Sequence, residues 1–581
     1  MPASRPVAIK RVPVALLNLP KILTLSTALL LTACGGSSGG STTPPPKTYT
    51  IGGMVSGLSG TGLVLEDNGG NNLTISGNGS FTFTTPVPDD GSYNVTVLTQ
   101  PSSPTQTCAV TNGSGTANAN VTSVQVACTT NHNEWTWVSG SNTANAIGVY
   151  GTLGVAATSN VPGARSGSVS WTDNSGNLWL FGGWDHDATG YVGELNDLWE
   201  FNPTAKTWTW MSGANTVNAI GVYGTIGVAA TSNIPGARDS AVSWTDGNGN
   251  FWLFGGEGYA STTTFGFLND LWEFSPTTKE WTWMSGADTP NASGVYGTLG
   301  IASASNVPGA RGSESGGAGL SWTDKSGNLW LFGGFGYDST GTIGGLNDLW
   351  EYIPTANTWT WTSGSETVNA FGVYGTQGVA SPSNVPGNRS YSVSWIDSSN
   401  NLWLFGGSGA GAIGTSGYDL DDLWEFNPTT KEWTWVNGSD SGGIAPVYGT
   451  QGVASTSNTP GGRDSAVSWT DSSGNFWLFG GFDYEGPSGA NGTNEYLNDL
   501  WEYNTTSKEW IWVGGSNTGD ASGVYGTLGI ASASNVPGAR GSEGVAVTWT
   551  DSSGNFWLFG GFGYDSTGTL GGLNDLWRYQ P

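Results

Sequence analysis

A Pro-Gly-x-Arg phrase recurs six times along the chain. It ends at Arg165, Arg238, Arg311, Arg389, Arg463 and Arg540, spaced 73 to 78 residues apart. A regular period of this length means one structural unit used repeatedly, each copy burying its apolar faces against its neighbours. Every copy carries four short apolar segments separated by turn residues. The first reads R-x-S-x-V-S-W-T-D, the second N-[LF]-W-L-F-G-G, the third N-D-L-W-E-[FY] and the fourth E-W-T-W. Aromatic and β-branched runs of this length between Gly, Asn and Pro clusters read as strands. With 94 Gly, 31 Trp and only 10% charged residues, the chain is expected to be all-β with many tight turns.

The register of the copies says how the array closes. It opens with a lone fourth segment, Trp135-Thr136-Trp137, and stops after a third segment, Asp575 to Tyr579. The last copy therefore needs the first segment, which joins both ends of the array in one unit and leaves no open sheet edge. Together these motifs resemble the Kelch repeat of galactose-oxidase-like β-propellers over residues 131–581. That resemblance implies six four-stranded blades. Five Trp per copy account for all but one of the 31, the exception being Trp184 in a loop between the second and third segments. The Trp stripe is accordingly expected as packing between blades, with Trp184 a candidate ligand contact.

Loop lengths are unequal. Those joining first to second and third to fourth segments are short turns, and five of the eight Lys lie on them. The first-to-second turns faintly resemble Ca²⁺ loops, but one Asp without an acidic closing residue is a poor ligand set. The loops joining copies run to about 27 residues, and those between second and third segments to 12 or more. In a propeller both long classes emerge on one face, which is therefore the expected binding face.

Seven Arg lie beyond residue 34: the six of the repeated phrase and Arg578. Each repeated Arg starts an innermost strand, and each copy carries one Asp before Leu-Trp: Asp197, Asp270, Asp348, Asp422, Asp499 and Asp575. Matching numbers in matching register predict guanidinium–carboxylate pairing. The alternative is a ring of arginines for an anionic ligand. Residues following the Arg break the six-fold pattern and suggest a duplicated three-copy unit. Asp239 and Asp464 occupy one equivalent position, and Glu314 and Glu543 another. These four carboxylates are further candidates for a cation or polar-sugar site.

Galactose oxidase chemistry needs a copper held by two His and two Tyr. This chain has two His in total, His132 and His186, and no Cys within 131–581, so that ligand set is absent. No metal or other cofactor is expected. A sialic-acid mutarotase, also a six-bladed Kelch protein, would use Arg for the sugar carboxylate and Glu or His for proton transfer.

The N-terminus reads as a targeting segment. Lys10, Arg11 and Lys21 precede an apolar run, Ile22 to Leu31, too short for a secure membrane span. Leu31-Thr32-Ala33-Cys34 resembles a bacterial lipobox, which implies a signal peptide over 1–34 and Cys34 as a lipidated first residue. The Gly/Ser/Pro-rich stretch 35–46 suits a flexible tether. By family analogy Gly35 in the next position favours the outer membrane. Residues 47–130 carry six or seven short strand signals and look like the small Ig-like or carboxypeptidase-regulatory-like modules of bacterial lipoproteins, a β-sandwich. In an oxidising compartment Cys108 and Cys128 are most simply a disulfide. The formal charge is −27, becoming −31 without the four basic residues of 1–34. Such a chain repels nucleic acid and anionic membranes.

The sequence thus predicts an all-β chain, a six-bladed Kelch-type β-propeller behind a small β-sandwich. It predicts a non-catalytic, lipid-anchored envelope protein that binds a glycan or another protein, with a mutarotase-like enzyme as the alternative.

Overall fold

The Trp, Val, Phe and Leu runs between Gly-rich turns form strands, and no helix occurs among the described residues. The computed structural model describes residues 45–101, 106–130, 133–312, 317, 319–412, 418–483, 494–541 and 545–581.

Among the described residues of 134–581 there are six successive antiparallel sheets of four or five strands, with a three-stranded sheet of Arg238–Asp239, Glu257–Tyr259 and Phe265–Phe267 and a two-stranded one of Phe562–Tyr564 and Leu570–Gly572 beside them. The first is built from Val169–Thr172, Leu178–His186, Val192–Asn202 and Thr207–Ser212, with the short Arg165–Ser166 strand extending it. The sixth combines Val547–Thr550, Phe556–Phe559 and Leu576–Gln580 with Glu134–Ser139 from the start of the array. Glu134–Ser139 pairs antiparallel with Leu576–Gln580, as the register of the copies requires.

Each first strand packs on that of the next sheet, and Val547–Thr550 packs back on Val169–Thr172, so the six close into a ring. Trp side chains tie every joint. The first-strand indole donates to a second-strand carbonyl of the following sheet: Trp171 to Trp252, Trp244 to Trp330, Trp322 to Trp403, Trp395 to Trp477, Trp469 to Trp557 and Trp549 back to Trp179. Each apolar cluster of the ring draws on two adjacent sheets. The core therefore lies between sheets. A single unit cannot bury its own apolar faces, which is the physical reason for the repeat.

Residues 48–130 form two four-stranded sheets and a short two-stranded pair. Ile51, Val55, Leu63, Leu65, Val95 and Val126 share one buried cluster drawn from both larger sheets. Cys108 and Cys128 sit opposite each other on antiparallel strands and are bonded, with an S–S distance of 2.02 Å.

Candidate functional site

The repeated arginine is the best-defined feature of the ring. Arg165 donates through both terminal nitrogens to Asp197, at 2.7 and 2.8 Å, and its Nε donates to the Gly163 carbonyl at 3.1 Å. The Tyr150 hydroxyl and the Trp199 indole, at 2.5 and 2.7 Å, donate to the same carboxylate. The two-pronged pairing repeats at Arg238–Asp270, Arg311–Asp348, Arg389–Asp422, Arg463–Asp499 and Arg540–Asp575. The Nε bond to a glycine carbonyl recurs in all but Arg463, whose Nε has no partner among the described residues and which donates to the Pro460 carbonyl instead. All twelve side chains are between 0 and 3% exposed. Burial opposes the charge on each guanidinium, but the adjoining carboxylate outweighs it and holds the Arg above its ordinary range. Burial and the same carboxylate push Tyr150 and its counterparts upward.

The backbone of the same residue crosses a joint. The Arg165 amide donates to Leu573 of the sixth sheet at 3.0 Å, and the Arg165 carbonyl accepts from Gly561 at 2.9 Å. Arg311, Arg463 and Arg540 make the same two contacts with their preceding sheets. The Gly-Gly pair follows from this. A Cβ on Gly182 would lie 2.7 Å from the Arg238 carbonyl, and one on Gly560 2.8 Å from that of Arg165. Both glycines also have φ of +66°, a conformation L side chains rarely adopt.

The candidate carboxylates fare differently. Asp239 lies on the strand after Arg238, directly opposite Glu257, and is 8% exposed. Its Oδ1 has no hydrogen-bond partner, and neither has Oε2 of buried Glu194. Burial, then Glu257, pushes Asp239 up to about 8; burial, then Asp239 and Glu257, holds Glu194 well above its ordinary range. Asp464, in the fifth unit, is pushed up to about 7 by burial and Asp483, against a Ser465 hydrogen bond. Glu314, Glu543, His132 and Cys34 fall outside the described residues. Trp184 is partly buried and pairs across strands with Ser166 and Glu194, which brings it to the Glu194 end of the first sheet. His186 Nδ1 contacts the Asp185 carboxylate. Among the described residues no three His, Cys, Asp or Glu side chains are grouped to hold a metal ion.

Glu194 and Glu257 were not singled out from the sequence, although a signal existed. Glu257 follows its Gly-Gly pair where other copies carry Trp184, Phe335, Ser408, Phe482 or Phe562. The repeated Tyr was also readable, standing in a Val-Tyr-Gly-Thr phrase of every copy.

The long loops do more than elaborate one face. After Val149 pairs with Val161, the chain between them lies along the outer strand of the first sheet. There the Gly154 and Ala157 amides donate to the Trp210 and Trp208 carbonyls at 2.8 and 3.3 Å. Asn160 locks this segment, donating to Trp208 and Val155. The loop covers a strand edge that would otherwise be open. It also leaves Ile147, Val149, Leu153 and Val155 from 49 to 54% exposed; four of the other copies expose at least three large apolar side chains at these positions, and the fifth unit exposes two, Val447 and Val453.

No family model matches the chain, and no curated protein matches it. It is similar to a solved structure titled "Structure of YjhT", with 15% identity and a TM-score of 0.40 over 74% of this chain and 95% of that one.

Proposed function

We propose that the ring is a six-bladed Kelch-type β-propeller, carried behind a small β-sandwich on a chain anchored in the bacterial envelope through lipid on Cys34. In this reading the protein is a non-catalytic binding module for another protein. The repeated exposure of aliphatic side chains on the six long loops carries the reading. Apolar surface repeated around a ring and left in water marks an interaction surface. Aliphatic side chains suit a protein partner better than a glycan, because sugars stack on aromatic faces and every Trp of the chain is buried or partly buried. The paired arginines support the same view, since none offers a free guanidinium to a sugar carboxylate.

A mutarotase-like reading rests on Asp239 and Asp464, whose carboxyls gain and lose protons near neutral pH. The arginines next to these two carboxylates, Arg238 and Arg463, are both paired with aspartates and offer such chemistry no free guanidinium. Changing Leu153, Ile226 and Leu299 to Lys tests the binding reading. In-cell cross-linking should then lose the partner adduct while the melting temperature stays unchanged. An undiminished adduct refutes it. Cys34→Ala should move the protein from the detergent phase to the aqueous phase.

A further inference from the structure

One joint of the ring departs from the others at Arg578. The third strand carries Glu at this position in the first five units: Glu200, Glu273, Glu351, Glu425 and Glu502. At two of those joints the geometry is fully defined. Lys279 lies 4.9 Å over the Trp179 ring and 3.8 Å from Glu200, and Lys431 lies 4.5 Å over Trp330 and 3.1 Å from Glu351. Each Lys comes from the short turn of the following sheet and finds its counter-charge in the preceding one. Between the sixth and first sheets the turn again supplies a lysine, Lys206, but the facing residue is Arg578.

Two cations therefore face one cavity here, where two other joints pair Lys with Glu and two more carry Asn357 or Asn133 in place of the Lys. A cavity of about 500 Å³ opens between them, with Trp557, Asn177, Asn202 and Gln580 also on its wall. The Arg578 Nε is buried without a hydrogen-bond partner. Among the described residues neither Lys206 nor Arg578 enters an ion pair. The nearby carboxylate, Asp551, is already committed: it accepts from the Ser553 and Asn555 amides, the Asn555 side chain and the Trp557 indole. Burial lowers the Arg578 guanidinium and Asp551 only partly offsets this, as expected of a cation lacking a direct partner.

From this departure we infer that the cavity between Lys206 and Arg578 is a binding site for the oxyanion of a small polar molecule, of monosaccharide size. Arg578 supplies a planar fork for a carboxylate or phosphate and Lys206 a second charge. Asn177 and Asn202 are bonded to each other and to their own turns, which leaves the Gln580 amide suited to a hydroxyl. The volume falls within the range of small-molecule pockets. The residues lining this site come from the short-turn side of the joint, and none of the exposed aliphatic side chains of the long loops is among them.

Calorimetric titration of the whole protein with glucuronate, glucose 6-phosphate and glucose, at low and high salt, tests the inference. At least one of the two anions should bind, about tenfold or more tightly than glucose, and added salt should weaken it. The tighter of the two identifies carboxylate or phosphate as the preferred group. Arg578→Glu restores the residue of the other copies and a partner for Lys206, so the fold should persist while anion binding is lost. Lys206→Ser should weaken binding without removing the fork. Absence of binding by both anions, equal binding of glucose, or undiminished binding by folded Arg578→Glu each overturns the proposal.

Discussion

At the scale of single residues, Arg165, Arg311 and Arg540 each join three things at once: their own third strand through Asp, their own loop through a glycine carbonyl, and the preceding sheet through their backbone. Removing the side chain strands a buried carboxylate that the Tyr and Trp donors cannot neutralise. Arg238→Ala should therefore cost about 3–5 kcal/mol, the range for breaking a buried pair by deleting one partner. Arg463→Ala should cost a similar amount, because its carboxylate geometry is alike. Thermal denaturation measures both, and silent substitutions would refute the role as a joint. Asp239 makes the opposite case. Its folded pKa of about 8 lies above the ordinary value near 3.9, so the folded state holds a proton that the unfolded state has lost. Its contribution is fully present below about pH 4, falls as the pH rises and is lost through about pH 8. Asp239→Asn should thus stabilise the protein by about 1–3 kcal/mol at pH 8 and change little at pH 4. Equal effects at both pH values would show that the carboxyl is not held neutral. Sequence reasoning found Asp239 because it breaks the repeat. Glu257 also departs from the repeat, but nothing in the sequence makes it the neighbour of Asp239, since the two meet only when their strands pair.

At the scale of elements, strands were legible and loops only partly so. Trp171 and its five counterparts recur in register, so their place between sheets followed from counting. The long loops read as decoration of one face because their Gly, Thr and Asn content carries no strand pattern. Their hydrogen bonds to the outer strands involve backbone groups, which composition does not reveal. Asn160 is the exception, a fixed side chain that bonds both the Trp208 carbonyl and its own loop. Asn160→Ala should release the segment and cost about 1–2 kcal/mol, with faster amide exchange at Gly154 and Ala157. Exchange unchanged at these two amides would show that the backbone bonds alone hold the loop. In the N-terminal sheets the disulfide closes a 20-residue separation between strands already paired. Cys108→Ser with Cys128→Ser should lower their stability by about 2–4 kcal/mol, read from amide exchange within 48–130. Unchanged exchange there would leave the bond without a stabilising role.

At the scale of the whole molecule, closure depends on six residues. Glu134–Ser139 supplies the outer strand of the sixth sheet, and Trp135 packs against Trp469, Phe479, Trp577 and Tyr579. The loop leading into that sheet rests on the same strand, Gly529 and Ser532 donating to the Trp137 and Trp135 carbonyls. Removal of the strand would leave Leu576–Gln580 as a bare edge, expose the aromatic cluster and detach that loop. Stability in such an array is shared between neighbours, so the loss should spread to the fifth and first sheets before the distant third. Deletion of residues 134–139 is expected to give a protein that oligomerises through the exposed edge, because an unpaired strand is a template for another chain. Size-exclusion chromatography reads the association and residue-resolved exchange reads the spread. A variant that stays monomeric, with protection lost evenly around the ring, would mean that the ring melts as one cooperative unit. A synthetic peptide of residues 133–140 separates the two outcomes. If a locally opened joint is the only damage, the peptide should restore protection to Leu576–Gln580 and suppress association; a ring that has melted as a whole has no preformed edge for it to pair with.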